Sequence, residues 1–536
     1  MRVPRLLLAA TIVAALTAQV GAPAATGATG GTTPLWVKHV QRFSGGISNG
    51  VRFSLDPAVV QAQGRYTASA AARPAGGSNV QMNEDSFPPL PQNEESVAYS
   101  TDDPMVAVAG ANDYVSGGTM IMYTHDGGQT WDTTSVVPVF SPTSDICNGG
   151  DPAIAYSARD HVFYLAQLCF FRELPYSEIQ LFVSRDEGAT WTPGRRSAIA
   201  ASNYDRATGR TDVHSFNDKE YITVDNYPLS PWYGRVYVTY TRFHLADDGS
   251  SDTCPIKLSY TDTVPTQDPS LTVWHHTDLV PDDPGAGGLG FSANQFSVPV
   301  VEKSGALDVA YVLEECNTST DHGLRLRRST DGGNSFGAGV HVDKPGLWAA
   351  SPSASSGIPH ANFRVPNTVA IAYSPVTGTL AYVYTNYIRG KGNGDIDVSL
   401  SHDHGATWSD PIPIATGAGG DPARHSQFFP WIASDESGRF VAIWLDRRQD
   451  PANHDIGTWE ARSTDDGRTW TDFPISTELW DPDLSFFKSG AFIGDYSGLA
   501  ANDQVIYPAW TDGRNNAIGR TGIGETDVFT DVEIRG

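Results

Sequence analysis

The chain has 536 residues, 40% hydrophobic and 10% aromatic, and carries 36 Lys and Arg against 61 Asp and Glu, a formal net charge of −25. These proportions exclude a disordered tail and a collagen, and with 53 glycines and 35 prolines they point to a globular, loop-rich protein. The acidity excludes nucleic acid and an anionic membrane surface as bulk partners, because binding phosphates needs neutralising Lys and Arg, but it leaves room for a small anionic ligand held by a few arginines.

Residues 1–25 read as a signal peptide. Arg2 and Arg5 make a basic start, Leu6 to Leu16 an apolar run, and Ala22-Pro23-Ala24 a small-residue cleavage site. No later stretch approaches the roughly 18 apolar residues of a membrane span. The expected product is therefore a secreted, extracellular monomer without a membrane span. Residues 26–92, rich in Ala, Gly and Pro, form an N-terminal extension that either supplies one strand to the domain that follows or simply leads into it.

From residue 93 onward the chain repeats itself. SVAYS (96–100), AIAYS (153–157) and AIAYS (370–374) are near copies, with looser versions at YITVD (221–225), VPVVE (298–302), WIASD (431–435) and GLAAN (498–502). Each is followed by a β-branched or aromatic run that reads as its hairpin partner, such as VFYLAQL or FVAIWLDRR. Anchored on Val97, Ile154, Ile222, Pro299, Ile371, Ile432 and Leu499, the units recur every 57 to 77 residues. That exceeds the roughly 40 to 50 residues of a minimal propeller blade, so each unit carries extra loop.

A second repeat follows five of the units: THDGGQTW (124–131), SRDEGATW (184–191), STDGGNSF (329–336), SHDHGATW (401–408) and STDDGRTW (463–470). In a tight turn, Asp126, Asp186, Asp331, Asp403 and Asp465 accept hydrogen bonds from backbone N–H groups. The glycine two residues later takes up positive φ, and the terminal aromatic packs back onto its sheet. These aspartates read as scaffold, not as catalytic carboxylates.

The turn motif resembles the Asp-box, or BNR repeat, of the sialidase superfamily of β-propellers, and the resemblance spans residues 93–536. It implies an all-β fold, a single propeller of four-stranded antiparallel blades, with each box between the third and fourth strands. Sialidases have six blades, whereas the strand count here gives seven. The third box is degraded around Ser259 to Trp274, and none is recognisable in the seventh unit. The same box decorates hydrolases, lyases and non-catalytic receptors, so it speaks for fold more than for activity.

If the boxes lie at one end, the opposite mouth collects residues just before each inner strand, including Glu94, Asp151, Asp218, Lys219, Glu220, Asp495 and Tyr496. It also collects residues just after each second strand, including Arg242, Glu314, Arg447, Arg448 and Arg514. Small-molecule sites are expected at such a mouth. Arginine suits a carboxylate-bearing sugar because its planar fork makes two parallel hydrogen bonds.

Two segments sharpen this reading. In FIGDYSGLA (492–500), Tyr496-Ser497-x-Leu499 resembles the segment carrying the nucleophilic tyrosine of sialidases, and FRVP (363–366) resembles the motif bearing the first of their three arginines, Arg364 here. The resemblance implies Tyr496 as nucleophile, which needs one carboxylate to take its proton and another to protonate the leaving oxygen. Glu220 and Asp151 are the candidates, at the entrances to two inner strands. Arg242, Arg364, Arg447, Arg448 and Arg514 are the candidate substrate-binding residues. Trp444-x-Asp446-x-Arg448 and Trp510-x-Asp512-x-Arg514 also read as local salt bridges, since residues two apart on a strand point the same way.

The four cysteines are an even number for an oxidising compartment and lack metal-site spacing; proximity in sequence pairs Cys147 with Cys169 and Cys254 with Cys316. No cofactor or metal is called for. Three functions follow as expectations. The first is a sialidase-type glycoside hydrolase acting on a glycan or glycoconjugate that carries a terminal acidic sugar. The others are a uronate-directed lyase or hydrolase, and a binding propeller without catalysis.

Overall fold

The computed structural model describes residues 33–63, 79–84, 89–280, 294–318, 320–351, 357–390, 392–417, 419–516 and 524–535. The signal peptide expected over residues 1–25 lies outside them. Seven antiparallel sheets of four-stranded blades make a β-propeller, one blade more than in the sialidases to which the turn motif points. The inner strands are Ser96–Tyr99, Ala153–Ser157, Ser215–Val224, Gln295–Val301, Val369–Tyr373, Gln427–Ser434 and Gly498–Ala501. Each contains one of the seven sequence anchors.

The strands follow from their residues. Second strands such as Val162–Phe170 and Phe440–Asp446 are buried along their whole length, because each is covered on both faces by neighbouring blades. Their near-continuous apolar and β-branched character fits that position. Outer strands such as Asp132–Val136 are half exposed and correspondingly polar.

The turns of the repeated motif have one geometry. In the second blade Ser184 Oγ and Thr190 N donate to Asp186 Oδ1, Thr190 Oγ1 donates to Oδ2 at 2.6 Å, and Gly188 N donates to Ser184 Oγ. Asp126, Asp331, Asp403 and Asp465 repeat this pattern. The glycines contribute more than a positive φ. A Cβ on Gly128, Gly188, Gly333, Gly405 or Gly467 would come nearer than 3.0 Å to Val532, Val108, Leu258, Leu326 or Leu400, each on the preceding blade. Every box therefore staples its blade to the one before.

The seventh blade takes its outermost strand from the other end of the chain. Val80–Gln81 pairs antiparallel with Asp527–Thr530, with Val80 opposite Thr530. Because its third and fourth strands are not consecutive in sequence, this blade has no turn in which a box could stand. Two disulfides add ties: Cys147–Cys169 within the second blade region, and Cys254–Cys316 between the third and fourth blades.

Ahead of the ring stand three short helices, α1 (Leu35–Arg42), α2 (Asn49–Phe53) and α3 (Pro57–Ala62). Ser48 caps α2 by accepting from Val51 N, and Asp56 caps α3 by accepting from Ala58 N, with Pro57 in the first turn. Trp36 of α1 packs between Phe170 and Phe216 at ring distances of 5.4 and 5.6 Å. Among the described residues no helix is long and apolar enough to cross a membrane.

Candidate functional site

The site is built by one local device repeated around the axis. Three residues before the anchor, Glu94, Asp151, Lys219, Phe296 and Phe429 all have left-handed backbones, with φ between 52° and 64°. In the third, fourth and sixth blades the ladder register shifts at this point, as in a β-bulge. Such a bulge re-aims a side chain, and a non-glycine residue held there costs about 1 kcal/mol or more. The equivalent residues in the fifth and seventh blades are Thr368 and Tyr496; in the seventh the positive φ falls on Gly494 instead.

These residues meet at the axis. Tyr221 and Trp431 face each other at 5.2 Å between ring centres, and Tyr496 lies 6.2 Å from Trp431. The Lys219 ammonium sits 3.4 Å from the centre of the Tyr496 ring and 5.3 Å from that of Phe296. Around this aromatic floor stand Glu94, Asp151, Asp218, Glu220 and Asp495, all buried. Neither oxygen of Asp151 or of Glu220 meets a hydrogen-bond donor. Glu94 Oε2 accepts from Asn112 Nδ2 at 2.7 Å, and Asn112 Oδ1 accepts from Asp151 N at 2.8 Å.

Burial sets the protonation of this cluster. It pushes Glu94 and Glu220 well above the usual carboxylate range, and the charge of Asp151 adds to the effect in both. Asp218 rises to about 7 for the same two reasons. The Tyr496 phenol is pushed well up, by burial first and then by Glu94, Asp151 and Glu220. Burial thus favours the proton-bearing form of Glu94 and Glu220 over the charged one.

The structure places Tyr496, Glu220 and Asp151 in one group. Arg364 borders it, donating from Nε and Nη2 to the two oxygens of Asp495 while its Nη1 meets no acceptor. The other four candidate arginines spend their forks elsewhere. Arg448 pairs with Asp446 and Asp472 and stacks 3.7 Å over Trp459. Arg514 pairs with Asp512 at 2.6 Å and reaches Thr477 and Asn79. Both belong to local bridges, in which Trp444 and Trp510 also donate to the aspartate. Arg447 is buried against the carbonyls of Pro359 and Asn453, and Arg242 lines a separate cleft at the blade edge.

Two cations not assigned a role from sequence stand at the centre. Lys219 is one. Arg52 of α2 is the other; burial lowers it to about 10, and the nearby Arg364 charge adds to the shift. A left-handed residue three before five of the seven anchors is a signal that spacing could reveal, but Arg52 lies in an extension with no repeat to flag it.

The helical segment closes the mouth. Ser48 N donates to Asp218 Oδ2 at 2.7 Å, and Gln295 Nε2 donates to Gly46 O at 3.0 Å. Gly50 lies directly on the carboxylates: a Cβ there would stand 2.8 Å from Asp151 Oδ1 and 3.1 Å from Glu94 Oε2. Phe53 stacks on Phe487 and Phe492 at 4.8 and 5.2 Å. Beneath the seal Tyr496 is 5% exposed and lines a cavity of about 20 Å³, room for one water and not for a sugar.

His454 lies near Asp455, Asp481 and Asp483. A hydrogen bond with Asp455, followed by one with Asp483, raises its pKa.

No protein-family model matches the sequence, and no curated protein does. Solved structures similar in fold include the Hadza microbial sialidase Hz136, 12% identical over 80% of this chain and 73% of that one, with a TM-score of 0.43. The Trypanosoma rangeli sialidase in complex with sialic acid is 15% identical over 75% and 57%, with a TM-score of 0.40. The Penicillium chrysogenum α-L-arabinanase complexed with arabinobiose is 12% identical over 71% and 92%, with a TM-score of 0.39. Likeness at this level concerns the propeller and carries no assignment of activity.

Proposed function

We propose that the protein is a glycoside hydrolase whose reacting centre is the axial group Tyr496, Glu94, Asp151 and Glu220. The observation that supports it is a phenol set among three buried carboxyl groups, two of them pushed well above the usual carboxylate range by burial. Glycoside hydrolysis needs a carboxylic acid to protonate the leaving oxygen at neutral pH and a second group to attack the anomeric carbon or activate water.

Two divisions of labour fit this group. In the sialidase-type reading, Tyr496 attacks the anomeric carbon as Asp151 takes the phenol proton, Glu220 being raised well above the carboxylate range by burial. The bond to the leaving oxygen breaks as a protonated carboxyl supplies its proton, and Arg364 with Arg52 receives the sugar carboxylate. A second reading is favoured by the placement of Arg242, Arg447, Arg448 and Arg514 away from the axis, and by the number of carboxyl groups around Tyr496. There a carboxyl pair acts on a sugar without charge, and Tyr496 orients it by hydrogen bonding.

Turnover of an aryl α-neuraminide and of a panel of neutral aryl glycosides tests both, with Tyr496→Phe and Glu220→Gln beside the parent. Neuraminide release lost in Tyr496→Phe selects the first reading. Neutral glycoside release lost in Glu220→Gln and only weakened in Tyr496→Phe selects the second. No release of any glycoside from the folded parent or from Phe53→Ala/Asp56→Ala, which loosens α2 but keeps Arg52, overturns the hydrolase reading in favour of binding alone.

A further inference from the structure

A large cleft lies away from the axis. It lies between the second and third blades, has a volume of about 650 Å³, and is lined among others by Arg195, Arg206, Arg242, Lys257, His276 and Asp278. A second cavity of about 440 Å³ adjoins it, shares Ser202 and Arg242, and adds Arg210. Arg242 thus joins two hollows into one groove. Each lies within the range of glycan and cofactor sites, and the two together can hold several sugar rings.

The charge of the larger cleft runs against that of the molecule, while the adjoining cavity is mixed, with Arg210 and Arg242 beside Asp205 and Asp212. In a chain of net charge −25, four full cations line the larger cleft against one lining carboxylate, Asp278. Two of the four are neutralised: Arg206 bonds the buried Glu178 at 2.7 Å, and Lys257 bonds Asp278 at 2.8 Å. Arg195 makes no ion pair among the described residues, and Arg242 has only Asp212, at 3.9 Å. Two uncommitted guanidinium forks therefore face the same space. Hydroxyls of Ser270 and Thr272 stand among them; each donates within the protein, to Asp268 Oδ1 and Pro269 O, and is left to accept from sugar hydroxyls.

Arg242 ties the groove to the strand that carries the axial residues of the third blade. Arg242 lies opposite Asn217 in the ladder of the third blade, one residue from Asp218. A chain lying in the groove therefore runs beside the mouth without entering the acidic centre.

We infer that this groove binds a glycan chain bearing carboxylate or sulfate groups, held by the paired forks of Arg195 and Arg242. Fork geometry and a desolvating cleft favour planar or multi-oxygen anions over neutral sugars. The inference concerns binding outside the axial site and does not depend on the hydrolase reading.

Isothermal titration of the full chain with a galacturonate hexamer, its fully methyl-esterified counterpart and a sulfated hexasaccharide tests it. Binding of at least one anionic hexamer, absence of binding by the neutral one, and a loss of about tenfold or more in Arg195→Ala/Arg242→Ala are expected. Arg195→Glu alone, at an exposed position that does not support the fold, should weaken binding at unchanged Tm. Equal binding of the neutral hexamer, no binding of either anionic one, or anionic binding unchanged in both variants would overturn the inference. Persistence of binding in Tyr496→Phe separates the groove from the axial site.

Discussion

The Lys219 ammonium rests 3.4 Å above the centre of the Tyr496 ring, and no hydrogen-bond acceptor takes its protons. Its charge acts on the carboxyls of Glu94, Asp218 and Glu220, lowering each against the upward push of burial. Lys219→Met removes the only ammonium in this cluster. The expected outcome is a fall of about tenfold or more in kcat/KM at pH 7, with the alkaline limb of the activity profile displaced upward, since all three acids then hold their protons longer. An unchanged profile would show that Lys219 only fills space over the ring.

The seal over the mouth is held by identifiable contacts. Asp56 Oδ2 accepts from Ser489 N at 2.7 Å, and Phe53 is sandwiched by Phe487 and Phe492. Phe53→Ala/Asp56→Ala should free α2 without touching the axial residues, and faster amide exchange at Asn49–Phe53 should accompany a several-fold rise in turnover. Faster exchange with lower turnover would mean that α2 forms a wall of the substrate site, with Arg52 as a working part of it.

Acid carboxyls make stability depend on pH in a definite direction. Asp218 is raised to about 7 and Glu95 to about 8, chiefly by burial, so between pH 4 and 8 the folded state holds protons that the unfolded chain releases. Their contribution is fully present below the ordinary carboxylate range and is lost as pH rises through those values, by about 1.4 kcal/mol per pH unit for each group still protonated. His39, lowered by burial, works the other way, costing stability as pH falls below its ordinary value. Thermal melts should therefore give a higher Tm at pH 5.5 than at pH 8, and Asp218→Asn should flatten the slope.

The repeated turns predict a purely structural phenotype. Asp186→Ala removes an acceptor used by Ser184 Oγ, Thr190 N and Thr190 Oγ1. A loss of about 1–3 kcal/mol in denaturant unfolding is expected, with kcat/KM of the folded fraction unchanged. Gly188→Ala should cost more than the turn alone predicts, because the added methyl meets Val108 and Tyr123 of the first blade.

Much of the ring is legible in sequence because it repeats. Seven anchors mark seven inner strands, and the box glycines betray their turns through a backbone that only glycine adopts cheaply. The missing seventh box has a topological cause that no local pattern states. Tyr496, Asp151 and Glu220 share a position or neighbourhood relative to the anchor, so spacing alone brings them to one place. The arginines were harder to read. Arg448 and Arg514 follow strand ends just as a substrate-binding fork would, and only the third dimension shows Asp472 and Thr477 waiting for them. Arg52 belongs to a stretch whose helices are too short to leave a periodic trace, and its relation to Arg364 spans most of the chain.

The two-residue pairing of Val80–Gln81 with Phe529 and Thr530 has a further consequence for how the molecule comes into being. Met82 and Asn83 continue the join by bonding Val528, the latter across 445 residues of chain. Segments some 445 residues apart must therefore meet before the outer edge of the seventh blade is protected. Until they do, the strand Asp527–Thr530 presents unpaired backbone to whatever chain is nearby, and contacts so distant in sequence form slowly. The blade that fastens the circle is thus also the point at which an incompletely made or partly unfolded molecule is most exposed to its neighbours.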